Sequence, residues 1–202
     1  MTSPDIPHQA KVAAGRSRQR LLIVRHGATA PNQAGLRCGG DLDPPLTEAG
    51  RRQVIEVARR LAAQPERIDL IVCSDLQRTR ESAAIVRAAL GMVELRLVPA
   101  FRERRLGGWN LRPLAETESM LAAGETPPGG ESRDAFAQRV RAGLQQIAPA
   151  LNRRVLLVAS KGVGRVLREL AGEPAAAPMA NAELLELSFE LHCLTQTSVG
   201  AA

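Results

Sequence analysis

The apolar positions of this chain change period several times, and each change marks an element. Leu21 to Val24 is a compact apolar run and reads as a buried strand. Thr47 then opens a segment with apolar positions at Val54, Val57, Ala58 and Leu61. Spacings of three and four predict a helix, and Thr47 is its N-cap. Ile68 to Cys73 is a second strand. Arg78 to Leu90 follows as a helix closed by Gly91, and Glu94 to Val98 as a third strand. The strongest amphipathic pattern runs from Asp134 to Leu151, with Phe136, Val140, Leu144, Ile147 and Leu151 on one stripe. Val155 to Ala159 is a fourth strand. Val163, Val166, Leu167 and Leu170 form the apolar face of the next helix, and the alternation from Glu183 to Leu194 predicts a last strand.

Strands alternating with helices predict an α/β sandwich built on a mainly parallel sheet. The patterned region, residues 20–194, reads as one domain. Residues 1–19 are polar, contain prolines and lack periodicity, which predicts a disordered N-terminal arm. Residues 195–202 read as a flexible tail, and there is no internal repeat.

Composition narrows the partners. Aromatic residues make up 2% of the chain and tyrosine is absent. The core must therefore be Leu, Val, Ile and Ala, and a base-stacking surface for nucleic acid is not expected. The net charge is +6, but Lys11, Arg16, Arg18 and Arg20 against Asp5 supply about half of it from the first twenty residues. An arginine-rich surface explains the rest without a nucleic-acid partner. Cys38, Cys73 and Cys193 are odd in number and fit neither a disulfide framework nor a metal knuckle. Cys73, inside an apolar run, is expected to fill core space. No apolar run is long enough for a membrane span and no leader pattern is present, so the expectation is a cytoplasmic chain without a membrane partner. Nothing in the sequence calls for a metal or other cofactor.

In open parallel sheets, ligands bind outside the carboxyl ends of the strands. The first strand is followed by Arg25-His26-Gly27, the second by Ser74-Asp75-Leu76-Gln77-Arg78, the third by Phe101-Arg102-Glu103, and the fourth by Ser160-Lys161-Gly162. Each residue has a plain explanation when taken alone. His26 could be a satisfied structural histidine, Arg78 a surface residue of a first helical turn, and Glu103 an ion-pair partner of Arg102, Arg104 or Arg105. Together, two arginines, a histidine, a carboxylate and a lysine on one rim suit a dianionic phosphate. Guanidinium forks hold its oxygens in pairs, and an imidazole can attack phosphorus.

The motifs RHGATAPN, DPPLTEAGRRQ, SDLQRT, FRERRLGGW and PPGGES occur in this order. In this the chain resembles the histidine phosphatase superfamily, the phosphoglycerate-mutase-like group, on its phosphatase branch. The resemblance covers about residues 20–194. It implies a three-layer α/β/α sandwich with a mostly parallel sheet, and hydrolysis of phosphorylated small molecules through a phosphohistidine. It makes His26 the nucleophile, Arg25 and Arg78 the clamp on the phosphoryl oxygens, Asn32 a pocket residue that helps hold the phosphate, and Glu103 the proton donor and later base. The attacking ring needs its other nitrogen tied to a backbone carbonyl, which the turn at Gly27 could supply.

The chain departs from the family pattern at one place. The fourth strand of the family ends in Ser-His-Gly, and here the histidine position holds Lys161. The chain has only two lysines, Lys11 and Lys161, against an otherwise arginine-based set of cations. Lys161 can still donate to a phosphate oxygen, as a flexible point charge rather than an oriented ring. Its pKa is expected to fall beside Arg25 and Arg78. Two outcomes stay open: catalysis, slowed by lost geometry, or a pseudoenzyme that binds inorganic phosphate without turnover. The lid, about residues 104–130, is short, which favours hydrolysis over mutase chemistry because a mutase must keep its phosphoenzyme dry.

Overall fold

The computed structural model describes residues 18–173 and 177–190. Strand β1 (Arg18–Arg25) leads through a four-residue helix α1 (Ala30–Gln33) to α2 (Glu48–Ala62). Then come β2 (Leu70–Cys73), α3 (Gln77–Ala89) and β3 (Glu94–Leu97). Helices α4 (Leu114–Ala122) and α5 (Arg133–Ile147) precede β4 (Val155–Ala159), α6 (Lys161–Leu170) and β5 (Leu184–Glu190). The Thr47 hydroxyl caps α2 by accepting from the Gly50 amide at 3.1 Å, and Ser132 caps α5 in the same way through Ala135.

The strands form one sheet in the order β3-β2-β4-β1-β5. Four run parallel, and β5 runs antiparallel against β1. Side chains alternate between its faces, as a strand period of two requires. Leu21 and Ile23 face one way and pack with Phe136, Val140 and Leu144 of α5 and Val163 and Leu167 of α6. Leu22 and Val24 face the other way, against Val54, Val57 and Leu61 of α2 and Ala83 and Val86 of α3. The sheet is thus sandwiched between two helical layers, as the sequence implies.

This arrangement positions a site. Arg25 at the end of β1 lies opposite Ala159 at the end of β4. The chain leaves β1 toward the α2 face and leaves β4 toward the α6 face. Neighbouring strands whose connections diverge in this way open a crevice between them, and here His26 and Lys161 are its two lips.

Two boundaries and one element differ most from expectation. β1 begins at Arg18, so the last two residues of the expected arm are sheet, paired with β5 through Arg18–Glu190 and Gln19–Phe189. Helix α5 ends at Ile147, and the chain continues through a 3₁₀ turn at Ala148–Ala150, where Pro149 cannot supply a helical N–H. Helix α4 has no counterpart in the sequence reading, because it buries only Thr117 and has no apolar stripe. Residues 1–17 of the expected arm, the tail 195–202, and positions 191–194 of the expected last strand lie outside the described residues.

Candidate active site

A cavity of about 490 Å³ opens at the carboxyl ends of β1 and β4. Arg25, His26, Asn32, Arg78, Glu103 and Lys161 all line it. All six residues singled out from the sequence therefore share one space.

His26 continues the line of β1, its backbone N–H donating to Ala159 O at 2.9 Å. Its imidazole is buried, and Nδ1 lies 2.7 Å from Gly27 O. A carbonyl only accepts, so Nδ1 carries the hydrogen and the lone pair is left on Nε2. Burial holds the His26 pKa well below its usual 6.5, and the charges of Arg78 and Arg25 push the same way, against the Gly27 hydrogen bond. The ring is therefore neutral at neutral pH. Gly27 itself is required by packing, because a Cβ there would run into the carbonyl of Gly50 at the start of α2.

Arg78 is not a surface residue. It is 1% exposed although it sits in the first turn of α3. Nη1 donates to Leu42 O at 2.8 Å and Nη2 to Gly39 O at 3.2 Å, so the loop before α2 fixes its plane. Arg25 donates through Nη1 to Met179 O at 2.6 Å, while its buried Nε has no hydrogen-bond partner. Burial lowers the Arg25 pKa, and Arg78 adds to the effect, while Glu103 and Glu183 oppose it. The arginine pair is thus a concentrated positive field, incompletely answered by protein carboxylates.

Glu103 is not paired with the neighbouring arginines. Arg102 instead grips Asp75 with a bidentate fork, Nε to Oδ1 at 2.6 Å. The Glu103 carboxylate accepts from two backbone amides, Arg104 at 2.7 Å and Gly162 at 2.8 Å. The second amide belongs to the first turn of α6, so the carboxylate is held against the residue that follows Lys161.

Lys161 is half-buried at the first position of α6, and its ammonium makes no hydrogen bond to any described residue. Its pKa is lowered, first by burial and then by Arg37 and Arg25, with Glu118 and Glu103 acting in the opposite sense. Arg37 therefore takes the part expected of Arg78. Asn32 Oδ1 accepts from Thr29 N at 3.3 Å and from Asn181 Nδ2 at 3.4 Å.

Several cavity residues were not anticipated. Met179 and Asn181 come from the loop before β5, and Asn181 Nδ2 also donates to His26 O at 3.0 Å. Arg37, Cys38 and Glu118 also line the cavity. Arg37 is buried under α4, with Nε donating to Thr117 Oγ1 and Nη2 to Glu118 Oε2, both at 2.6 Å. Among the described residues, no three His, Cys, Asp or Glu side chains gather as a metal site, and no helix is long and apolar enough to cross a membrane.

The model of the histidine phosphatase superfamily (branch 1) matches residues 21–199 of this chain. Phosphoglycerate mutase-like protein 4 of Arabidopsis thaliana is 34% identical over 165 residues, covering 75% of this chain and 70% of that protein. The metal-independent phosphoserine phosphatase of the same plant is 33% identical over 159 residues, covering 73% of this chain and 66% of the relative. Among solved structures, a mycobacterial glucosyl-3-phosphoglycerate phosphatase in complex with VO3 aligns with a TM-score of 0.74 and 30% identity, covering 88% of this chain and 94% of that one.

Proposed function

The chain belongs to the histidine phosphatase superfamily, and on that premise we propose that it hydrolyses phosphomonoesters through a phosphohistidine formed on His26. The observation that carries this reading is the short contact from His26 Nδ1 to Gly27 O, which leaves a neutral ring with a free Nε2 lone pair in a cavity that Arg25 and Arg78 also line. A dianionic phosphoryl group set against Arg25 and Arg78 would be held by charge-assisted hydrogen bonds. Nε2 then bonds to phosphorus as the bond to the leaving oxygen breaks, and that oxygen takes a proton from Glu103. In the second half, water attacks the phosphohistidine, Glu103 accepts the water proton, and the N–P electron pair returns to Nε2. Proton transfer of this kind contributes roughly 10²- to 10⁴-fold. Lys161 adds positive charge where the family pattern has a second histidine, and Asn32 completes the wall. Residues 104–130 act as a lid short enough to admit the hydrolytic water.

A second reading has an observation of its own. The Lys161 ammonium has no hydrogen-bond partner among the described residues to orient it, so the cavity could bind phosphate and turn over poorly. One experiment separates the two. The protein is incubated with a ³²P-labelled phosphomonoester, quenched in base, and the label is mapped. Hydrolysis requires base-stable, acid-labile label on His26 together with steady phosphate release. Thermal stabilisation by inorganic phosphate, with neither label nor release, would establish the pseudoenzyme.

A further inference from the structure

We propose that the natural substrate is a phosphomonoester of an apolar alcohol, with an alkyl or aryl leaving group that carries no second anionic group. The proposal rests on the phosphatase reading above and concerns the part of the cavity that a phosphate leaves empty. A space of about 490 Å³ falls within the roughly 300–1,000 Å³ of small-molecule sites, far more than one phosphoryl group occupies.

The wall beyond the cationic cup is largely hydrocarbon. Leu36 comes from the loop after α1, Leu106 from the loop after β3, and Leu114 and Leu121 from α4. Leu114 keeps 37% of its surface exposed, an apolar side chain left open at the cavity wall. A polyol against this wall would give up hydration without gaining hydrogen bonds, whereas an alkyl or aryl group gains from burial.

Three of the arginines around the mouth have a carboxylate nearby, while Arg104 donates to the carbonyls of Glu131 and Glu125. Arg37 pairs with Glu118 at 2.6 Å. Arg168 pairs with Glu173 at 3.5 Å and donates to Ala177 O at 3.0 Å. Arg165 lies 3.9 Å from Glu169 on the same helix, an oxygen that Arg133 approaches to 3.4 Å. A carboxylate or second phosphate on the leaving group would compete with Glu118, Glu173 or Glu169 for these arginines. The outer chamber therefore offers a second anion arginines that carboxylates already approach, and offers hydrocarbon an open apolar wall.

The test compares methyl, n-butyl and n-hexyl phosphate with glycerol 3-phosphate and 3-phosphoglycerate. All release an alcohol whose oxygen is on an unbranched CH2 or CH3 carbon, so the comparison reads the pocket. The expected result is a rise in kcat/KM of at least tenfold from methyl to hexyl phosphate, with hexyl phosphate at least tenfold above 3-phosphoglycerate. Leu121→Asp is expected to shrink the hexyl-to-methyl ratio. A flat alkyl series, or a preference for 3-phosphoglycerate, overturns the proposal while leaving hydrolysis intact. If no ester turns over, the hydrolase reading fails, and competition with phosphonates decides the inference on its own. Hexylphosphonate binding at least tenfold tighter than methylphosphonate and 3-phosphonopropionate supports it. Equal binding, or tighter binding of the carboxylate-bearing compound, overturns it.

Discussion

The carboxylate of Glu103 and the backbone amide of Gly162 meet at 2.8 Å, joining the loop after β3 to the first turn of α6. The contact is so close that a Cβ at position 162 would collide with the carboxylate itself. Gly162→Ala must therefore swing the Glu103 side chain away or push the start of α6 outward. Displacing a reacting group by about 1 Å can cost on the order of 10²-fold in rate. The expected outcome is a kcat lowered by about that factor with the melting midpoint close to that of the parent chain. Steady-state kinetics and thermal denaturation of the same preparation check it. An unchanged kcat would remove Glu103 from the proton-transfer role.

His26 should titrate well below 6.5. Burial disfavours the imidazolium, and Arg78 and Arg25 disfavour it further. The consequence for folding has a definite sign. Above pH 6.5 both folded and unfolded chains hold the ring neutral, and its stabilising contribution is fully present. As the pH falls below 6.5 the unfolded chain takes up a proton that the folded chain refuses, and stability is lost until the folded pKa is passed. NMR titration of the His26 ring proton in phosphate-free buffer reads the pKa directly. A midpoint at or above 6.5 would contradict the electrostatic picture of the site.

Arg78 serves both charge and architecture. Its guanidinium holds Leu42 O and Gly39 O, so Arg78→Met leaves two carbonyl groups to find other partners. Leaving a buried acceptor unmatched costs about 1–3 kcal/mol. The variant should show a lower melting midpoint, little or no further stabilisation by added phosphate, and a His26 titration moved upward, because one of the charges that depress it has gone. A His26 midpoint unchanged from the parent would mean that the Arg78 charge is screened from the ring.

The strand-end rule made much of this site readable from sequence. Arg25, His26, Arg78, Glu103 and Lys161 each end or follow a parallel strand or open the helix after it, so topology alone sends them to one rim. Asn181 and Met179 escape the rule because β5 runs antiparallel, which brings the loop before it, rather than the loop after it, to that rim. Alternating apolar residues reveal a strand but not its direction. Arg37 escaped for another reason. It lies in a polar loop without period, and its burial depends on Thr117 and Glu118 of α4, an exposed helix with no apolar stripe. The pairings of charges were equally illegible. Arg102 reaches Asp75 across the sheet rim, although Glu103 is its neighbour in sequence.

Lys161 offers the sharpest substitution. It sits at the first position of α6, where the resemblance to the family implies a histidine, and Arg37 and Arg25 act on its ammonium in one sense and Glu118 and Glu103 in the other. A lysine supplies charge on a flexible stem, whereas an imidazole supplies an oriented donor. Losing one preorganised donor to a developing charge typically costs on the order of 10²- to 10³-fold. Lys161→His should therefore raise kcat at least tenfold, while Lys161→Ala should lower kcat/KM and weaken inhibition by inorganic phosphate. Steady-state kinetics of the three proteins on one phosphomonoester check both statements. If Lys161→His is no faster than the parent, the missing ring does not limit the rate, and the lysine is an adequate replacement. If Lys161→Ala binds phosphate as tightly as the parent, the Lys161 ammonium does not reach the phosphoryl group.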